Sequence, residues 1–261
     1  MTTMALTARD SATMTRRSLR HAVRYPVTMI VSVGVPVLLL LLFVSVFGGA
    51  LKAGLGAASH GAYVNYLLPG ILVMTAAYGS SVTALGVNRD STEGIIGRFR
   101  TMAISPAAVL SGYVASALLR TLTSMALVVA VATGLGFRPA ADARQWLTAV
   151  GVTVLLVLAL TWLAVAVGLA AKTAEGTSGF TLLVQLLPFI SSAFAAPGQM
   201  SESVRWFAGC EPFTPVIDAL RGLLAGTPDG GTIVVAVAWC AGLALAGYLW
   251  GRAVFRRDLN R

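Results

Sequence analysis

The chain has 261 residues, of which 57% are hydrophobic and only 11% are charged, and its formal net charge is +9. Soluble domains usually carry about 25% charged residues, so this composition excludes an ordinary soluble protein and predicts a polytopic membrane protein with a single membrane domain. The basic residues lie at the edges of apolar blocks, which is typical of membrane topology and argues against nucleic-acid binding.

Residues 1–26 are predicted to form a cytoplasmic N-terminal segment that contains an amphipathic helix. The stretch TRRSLRHAVRYP places arginines at helical spacing opposite apolar residues: Arg16, Arg17, Arg20 and Arg24 against Leu19, Ala22 and Val23. Such a helix lies in the inner membrane interface with its arginines among anionic headgroups. A simple positive-inside retention signal explains the same residues equally well, and the two roles are compatible.

Residues 27–261 are predicted to form one six-span transmembrane domain, because about 20 apolar residues cross the hydrocarbon core as a helix. The six apolar blocks run approximately over residues 27–47, 64–87, 107–133, 146–171, 178–197 and 232–251. Thirteen Lys and Arg residues fall on the side that holds both termini, and five fall on the other side. This excess predicts that both termini are cytoplasmic.

Arg120 is the one basic residue that lies inside an apolar block. If the third span begins near Ala117, Arg120 lies one turn inside it and its side chain snorkels to the cytoplasmic face. Alternatively, Arg120 is a buried cation that pairs with carboxylates of the preceding connection or lines a cavity.

The connection between the second and third blocks, RDSTEGIIGRFRTMAISP (Arg89–Pro106), is predicted to be cytoplasmic. Ile95, Ile96, Phe99 and Met102 fall at i, i+1, i+4 and i+7 and form one apolar stripe of a short helix. This helix is too short to cross the bilayer. It either lies on the membrane surface as a tether or docks its polar face onto a cytoplasmic partner.

The segment before the last block, EPFTPVIDALRGLLAGTP (Glu211–Pro228), is predicted to form an amphipathic helix on the outer side. Its apolar stripe comprises Val216, Ile217, Leu220, Leu223 and Leu224. Asp218 and Arg221 share the polar side at i and i+3. About eleven residues cannot span a membrane, so the helix lies in the outer leaflet. It is either a lid over the connection to the last span or an outer gate beside an exit path.

Motifs for catalysis and metal binding do not match. The stretch GLAAKT (Gly168–Thr173) approaches a phosphate-binding loop, but Ala171 replaces its second glycine and its first glycine is missing. His21 and His60 lie on opposite sides of the predicted membrane, so they cannot form a metal site together. The acidic residues lie in loops or at span ends, whereas ion-coupled transporters place them deep in the bilayer. We therefore expect no catalytic residue, no metal site and no ATP hydrolysis by this chain.

Four stretches, taken in order, resemble the type-2 ABC exporter permeases, above all the daunorubicin-resistance permease subgroup. They are RRSLRHAVRYP, FVSVFGGAL, YLLPGILVMTAAYGSSVTALGVNRDSTEGIIGRFRTMAIS and EPFTPVIDALRGLLAG. The resemblance covers essentially the whole chain and keeps the order and spacing of the motifs. The chain departs from the family pattern at Glu211, which is usually Asn, at Ala103, which is usually Pro, and at Pro106, which is often Arg.

The resemblance implies that the cytoplasmic connection contains a coupling helix seated in a separate ATP-binding subunit, which favours docking over a tether. The implied coupling residues are Asp90, Glu93, Gly94, Ile95, Ile96, Arg98, Phe99, Arg100 and Met102. The resemblance also implies a second permease half, which is an identical or a related chain. ATP and Mg²⁺ would be bound by the ATP-binding subunit, and this chain itself would bind no cofactor.

The resemblance further implies a substrate cleft between the two halves, lined by the second and fifth spans. The path candidates are Met74, Tyr78, Ser81 and Leu85 on the second span and Gln185, Phe189 and Ser192 on the fifth, and the candidates for the outer gate are Pro212, Asp218 and Arg221. Apolar and aromatic groups with a few hydroxyls and one amide suit an amphipathic organic molecule or a lipid. Ordinary helix packing explains any single one of these residues as well.

The expected function is that of a permease subunit of an ATP-driven exporter in the bacterial plasma membrane. It would move an antibiotic or another amphipathic small molecule, or a lipid, out of the cytoplasm or the inner leaflet. A stand-alone secondary transporter or channel is the alternative, although it would need buried ionisable residues. An integral membrane enzyme would need an acid–base or metal constellation, which the sequence lacks.

Overall fold

The computed structural model describes residues 33–46, 60–94, 106–193 and 202–257, and every regular element within these ranges is an α-helix. The helices are α1 (Val33–Val46), α2 (His60–Thr92), α3 (Pro106–Gly134), α4 (Ala143–Ala170), α5 (Ala174–Ile190), α6 (Glu202–Cys210), α7 (Phe213–Leu224) and α8 (Gly230–Arg257). The predicted all-α class is confirmed. The predicted interfacial helix within residues 1–26 lies outside the described residues.

Four helices are long and apolar enough to cross a membrane. They are Tyr63–Thr92 of α2, Leu110–Gly134 of α3, Ala143–Ala170 of α4 and Gly230–Phe255 of α8. They match the predicted second, third, fourth and sixth spans, so the protein is a multi-pass membrane protein. Helix α5 has 17 residues and therefore rises roughly 26 Å, slightly less than the thickness of a hydrocarbon core. Parts of the predicted first and fifth spans lie outside the residues that the structure describes.

Helix α2 is the centre of the bundle. In its most apolar stretch 78% of the residues are buried, compared with 17% in that of α8. Leu67, Ile71 and Val73 are fully buried. Helix α2 packs against α3, α4, α5 and α7, so a displacement of α2 is felt by all four of these neighbours.

The close approach of α2 and α4 depends on Gly168. A Cβ atom at this position would lie only 2.6 Å from the carbonyl oxygen of Ala84. Small residues allow the backbones of membrane helices to approach closely, because association there is driven by van der Waals packing rather than by exclusion of water. A side chain at position 168 would therefore push α2 and α4 apart.

One end of the bundle, which we call the α7 end, collects the start of α2, the end of α3, the start of α4 and helix α7. The side-chain amide of Asn65 exchanges two hydrogen bonds of 3.0 Å with the backbone of Arg138. The backbone nitrogen of Ala140 donates to the carbonyl oxygen of Leu224, also at 3.0 Å. These bonds hold the loop between α3 and α4 against both α2 and α7.

Side-chain caps fix where α4 and α8 begin at the α7 end. The Asp142 carboxylate accepts a hydrogen bond of 2.7 Å from the backbone nitrogen of Gln145, whose side chain accepts one of 2.8 Å in return, which is a capping box. At the start of α8 the hydroxyl and the backbone nitrogen of Thr232 both donate to Asp229. These bonds lower the pKa of Asp229, because they favour its ionised form.

Candidate transport path and its two ends

At the end of the bundle opposite α7, which we call the Asp90 end, the last turns of α2 are fixed to two other helices. The side-chain amide of Asn88 donates to the carbonyl oxygens of Ala171, at 2.7 Å, and Gly168, at 3.3 Å, where α4 ends. The Tyr113 hydroxyl of α3 donates to the Asp90 carboxylate. Sequence reasoning missed Asn88 and Tyr113, and the available signal was a polar side chain within an apolar helical run. Together these bonds join α2, α3 and α4.

Three of the predicted coupling residues lie at this end. Asp90 accepts the tyrosine hydrogen bond, and Glu93 forms an exposed ion pair of 2.7 Å with Arg89. Gly94 has a φ of +74°, a left-handed conformation that glycine adopts without strain and that commonly ends a helix. The other six, Ile95, Ile96, Arg98, Phe99, Arg100 and Met102, lie outside the described residues.

The predicted path residues of α2 do not share one surface. Met74 and Ser81 are buried, whereas Tyr78 is half-buried and Leu85 is exposed. The Ser81 hydroxyl oxygen lies 3.5 Å from the carbonyl oxygen of Thr181 on α5. Ser81 therefore belongs to the packing between α2 and α5, and Tyr78 and Leu85 are the members of this set that reach the surface of the chain.

The predicted path residues of α5 also separate. Gln185 is half-buried and Phe189 is exposed, whereas Ser192 follows the end of the helix and is fully buried. Pro188 lies inside α5 and is buried. The exposed apolar side of the helix carries Leu182, Leu183, Leu186, Phe189 and Ile190. Only Phe189 of the three candidates belongs to this side.

At the α7 end Ser192 meets two of the predicted gate residues. The Ser192 hydroxyl donates to the Asp218 carboxylate at 2.8 Å, and Arg221 pairs with the same carboxylate oxygen at 2.8 Å. Arg221 also donates to the Ser192 carbonyl oxygen at 2.8 Å, and its guanidinium carbon lies 4.0 Å from the centre of the Tyr66 ring on α2. The third predicted gate residue, Pro212, directly precedes α7 and makes no capping hydrogen bond with its side chain. We call Ser192, Asp218, Arg221 and Tyr66 the α7 network.

The apolar stripe predicted for α7 is confirmed, since all five of its residues are buried: Val216, Ile217, Leu220, Leu223 and Leu224. Asp218 and Arg221 lie on the other side of the helix and remain partly exposed. This division places the charged side of α7 where it can reach the end of α5. Burial of the stripe holds the helix in that orientation.

Glu211 adjoins the α7 network and is buried, with 4% of its surface exposed. One of its carboxylate oxygens accepts a 3.0 Å hydrogen bond from Thr214, and the other, Oε2, has no hydrogen-bond partner among the described residues. Burial raises the pKa of Glu211 to about 7, because it disfavours the charged form. Sequence reasoning noted Glu211 only as a departure from the family pattern and missed its burial.

Arg120 lies at the midpoint of α3, because the helix begins at Pro106 and not near Ala117. Its Nη2 atom donates to the Thr83 hydroxyl at 2.8 Å and to the Gly79 carbonyl oxygen at 3.4 Å, both on α2. The condition for snorkelling from a position one turn inside the span is therefore not met. Within the described part of the chain, the hydrogen-bond partners of Arg120 are neutral oxygens and not carboxylates.

The helical fold defines a class, that of multi-pass helical membrane proteins, and comparison with known proteins gives the family. The family model for the ABC-2 type transporter matches residues 10–225, and the chain belongs to this family. Within it, the chain falls in the subgroup of daunorubicin and doxorubicin resistance permeases, as the sequence motifs indicated.

Two relatives carry this subgroup assignment. The daunorubicin resistance ABC transporter permease protein DrrB1 of Streptomyces coeruleorubidus is 30% identical over 239 residues, which cover 89% of this chain and 82% of the relative. The probable doxorubicin resistance ABC transporter permease protein DrrC of Mycobacterium tuberculosis H37Rv is 22% identical over 231 residues, which cover 88% of this chain and 82% of the relative.

Proposed function

We propose that this chain is the transmembrane permease subunit of an ATP-driven exporter that moves an amphipathic small molecule, such as an antibiotic, or a lipid out of the cytoplasm or the inner leaflet. The observation that carries the proposal is the join at the Asp90 end, where Asn88 and Asp90 fix α2 to α4 and α3. A permease that is moved by a separate subunit needs such a rigid junction of helices, because a push on a flexible connection would cause only local motion.

The free energy for transport comes from a separate ATP-binding subunit, which binds ATP and Mg²⁺ and carries the catalytic residues. Two lines support this part of the proposal. The relatives are named as permease proteins of ABC transporters, and the sequence has no phosphate-binding loop. Such a permease pairs with a second half, which is an identical or a related chain.

The chain crosses the bacterial plasma membrane six times, with both termini in the cytoplasm. Helices α1 and α5 supply the two spans beyond the four long ones. The distribution of Lys and Arg supports this topology, and so does the alternation of α2, α3 and α4 between the two ends of the bundle. In this arrangement the Asp90 end is cytoplasmic and the α7 end is external.

Transport follows from rigid-body alternating access. Closure of the ATP-binding subunits pushes on residues 95–102 of the cytoplasmic connection, and the push enters α2 at its last turn. Since α2 is joined there to α3 and α4, the three helices move as one body, and the cleft between the two permease halves changes its open side. ATP drives the change because its binding favours one of the two states.

The exit step requires the α7 network to open. The network joins the end of α5 to α7, because Ser192 and Arg221 both donate hydrogen bonds to the Asp218 carboxylate. Hydrogen bonds to charged groups contribute about 1.5–3 kcal/mol each. A network of this size keeps the outer end closed at rest and still opens within the energy of one ATP-driven cycle.

The test is transport in proteoliposomes that contain the chain with or without its ATP-binding subunit, with doxorubicin as the fluorescent probe. We expect doxorubicin movement that needs the subunit and hydrolysable ATP, and no movement with a non-hydrolysable ATP analogue. Doxorubicin movement at the same rate without the subunit would overturn the proposal in favour of a stand-alone transporter or channel.

A further inference from the structure

Arg120 places a permanent positive charge in the middle of a membrane helix. It lies at the midpoint of α3 (Pro106–Gly134), so roughly 21 Å of helix extends on either side of it. An arginine side chain does not lose its proton in proteins. A charge at this depth is costly, and intramembrane ionisable residues usually serve a ligand or a partner.

The contacts of Arg120 satisfy only part of its guanidinium group. Nη2 donates to the Thr83 hydroxyl and approaches the Gly79 carbonyl oxygen, whereas Nε has no hydrogen-bond partner among the described residues. The two helices are very close here, since a Cβ atom at Gly79 would lie 2.3 Å from the hydroxyl oxygen of Thr121. The crossing therefore holds the arginine in place but supplies it with dipoles and no negative charge.

None of the carboxylates that the structure describes forms a hydrogen bond or an ion pair with Arg120. The described acidic residues lie outside α3, in other helices or in loops: Asp90, Glu93, Asp142, Glu175, Glu202, Glu211, Asp218 and Asp229. On α2, Asp90 is bound by Tyr113, which lies seven residues before Arg120 and therefore roughly 10 Å away along α3. Arg120 therefore has no counter-charge among the residues that the structure describes.

The position of Arg120 borders an open face of both helices. On α2, Thr83 directly follows the half-buried Val82 and lies three residues before the exposed Gly86. On α3, Thr123 is exposed one turn after Arg120. Arg120 itself is partly exposed. Arg120 thus lies beside exposed positions of both helices, although its Nε atom is buried.

We propose that Arg120 binds the oxyanion group of an anionic amphiphile, a phosphate or a carboxylate on an apolar body, which lies along the open face of α2 and α3. The inference goes beyond the proposed function, because it assigns a bound anionic ligand in addition to the cationic doxorubicin that serves as the transport probe. The neighbouring residues fit such a ligand: apolar side chains on α2 and α3 contact its body, and the planar guanidinium pairs with an oxyanion. The occupant is either a resident anionic lipid or a second, anionic molecule that the chain transports.

The experiment measures binding by the purified chain without its ATP-binding subunit, so that its outcome does not depend on ATP coupling. The probes are dodecyl phosphate and dodecanol that carry the same fluorophore, titrated into protein in nanodiscs of phosphatidylcholine. We expect the wild type to bind the phosphate at least about tenfold more tightly than the alcohol, the effect of one charge-assisted hydrogen bond. Equal affinity for the two probes would overturn the proposal.

Three variants separate charge recognition from helix packing. Arg120→Gln keeps a donor for Thr83 but removes the charge, and should lose the preference for dodecyl phosphate. Arg120→Lys should keep most of it. Thr83→Val removes the neutral partner and should leave the preference within about twofold, because the charge is retained. An unchanged preference in Arg120→Gln would overturn the proposal. If Arg120→Gln does not fold, Arg120→Lys decides: loss of the preference for dodecyl phosphate in this variant, which keeps the positive charge, would also overturn the proposal.

Two measurements identify the source of the anion: binding of the phosphate probe in a bilayer of different lipid, and ATP-dependent transport of that probe. If a resident lipid occupies the site, nanodiscs of phosphatidylglycerol should suppress binding of the phosphate probe to the wild type. If a transported anion occupies it, the phosphate probe should be transported in an ATP-dependent manner by the complete complex, and Arg120→Gln should abolish that transport. Either result supports an oxyanion site at Arg120, and failure of both would overturn it.

Discussion

The side-chain amide of Asn88 lies 2.7 Å from the carbonyl oxygen of Ala171, and this contact joins the end of α2 to the end of α4. Asn88 is 2% exposed, so the amide has no access to water that could replace Ala171. A buried amide without its partner costs about 1–3 kcal/mol. The bond therefore makes the two helix ends move together, at the place where the proposed coupling connection leaves α2.

Asn88→Ala should uncouple ATP hydrolysis from transport. We expect the ATP-binding subunit to bind and hydrolyse ATP, while export per ATP falls about tenfold, as expected for a loss of about 1.4 kcal/mol. The ratio of transported probe to released phosphate in proteoliposomes measures this. Asn65→Ala is the matched control, because Asn65 also hydrogen-bonds a backbone segment but lies at the α7 end. An equal loss of coupling in both variants would contradict the assignment.

Glu93→Lys and Phe99→Asp should weaken binding of the ATP-binding subunit, because the first reverses a charge and the second places a charge on the predicted apolar stripe. Co-purification of the subunit with a tagged permease measures the effect. Glu175→Lys is the control, since Glu175 is also exposed and lies in the first turn of α5, at the same end of the bundle. Capture of the subunit at wild-type levels by both variants would count against docking through this connection.

Arg221→Gln should loosen the α7 network. It removes the ion pair with Asp218 and the stacking on Tyr66, and we expect a loss of about 1–3 kcal/mol, because Asp218 stays partly buried with fewer partners. Thermal unfolding in detergent measures the change. Arg144→Gln, at an exposed position near the start of α4, should unfold at the wild-type temperature. Equal unfolding temperatures of the two variants would show that the α7 network does not hold the end of α5 to α7.

Glu211 should make stability depend on pH near neutrality. Its pKa is raised by burial to about 7, so its contribution is fully present below the ordinary carboxyl pKa and is lost as pH rises through about 7. Glu211→Gln should abolish this dependence and unfold at a higher temperature than the wild type at about pH 8. Thermal unfolding at about pH 6 and about pH 8 tests it, with the exposed Glu202→Gln as the control. A wild type that gains stability above pH 7 would contradict the prediction.

Gly168→Ala should destabilise the crossing of α2 and α4 by about 1–3 kcal/mol, because the new methyl group would overlap the Ala84 carbonyl oxygen. Gly151→Ala, on the same helix, has no atom within 4 Å of its new Cβ and should be neutral or stabilising, since alanine favours helix by about 1 kcal/mol. Denaturation in detergent compares the two. Equal stability of the two variants would show that α2 and α4 do not pack as closely as described.

The long helices were predictable from sequence because a membrane imposes its thickness on any helix that crosses it. The apolar runs that form α2, α3, α4 and α8 needed no tertiary information. Helix α7 was predictable for another reason: Val216 and Leu220 recur at helical spacing, and Asp218 and Arg221 occupy the other side. Amphipathic periodicity shows which side of such a helix is buried.

The contacts between helices could not be predicted in the same way. In a span that is apolar all round, periodicity does not distinguish a side that faces lipid from a side that packs on a neighbour. Helical spacing therefore puts Met74 and Ser81 in one set with Tyr78 and Leu85, although the first two are buried and the other two reach the surface. The bonds of Asn88 and Ser192 connect distant parts of the chain, and neither residue shows its partner in the sequence.

The unequal burial of α2 and α8 has a consequence for how this protein evolves. Most positions of α2 touch another part of the same polypeptide, so an accepted replacement there usually needs a second replacement opposite it. In α8, where 17% of the most apolar stretch is buried, replacement of one apolar residue by another has little effect on packing within the chain. Descendants of this gene should therefore show paired changes along α2 and independent drift along α8.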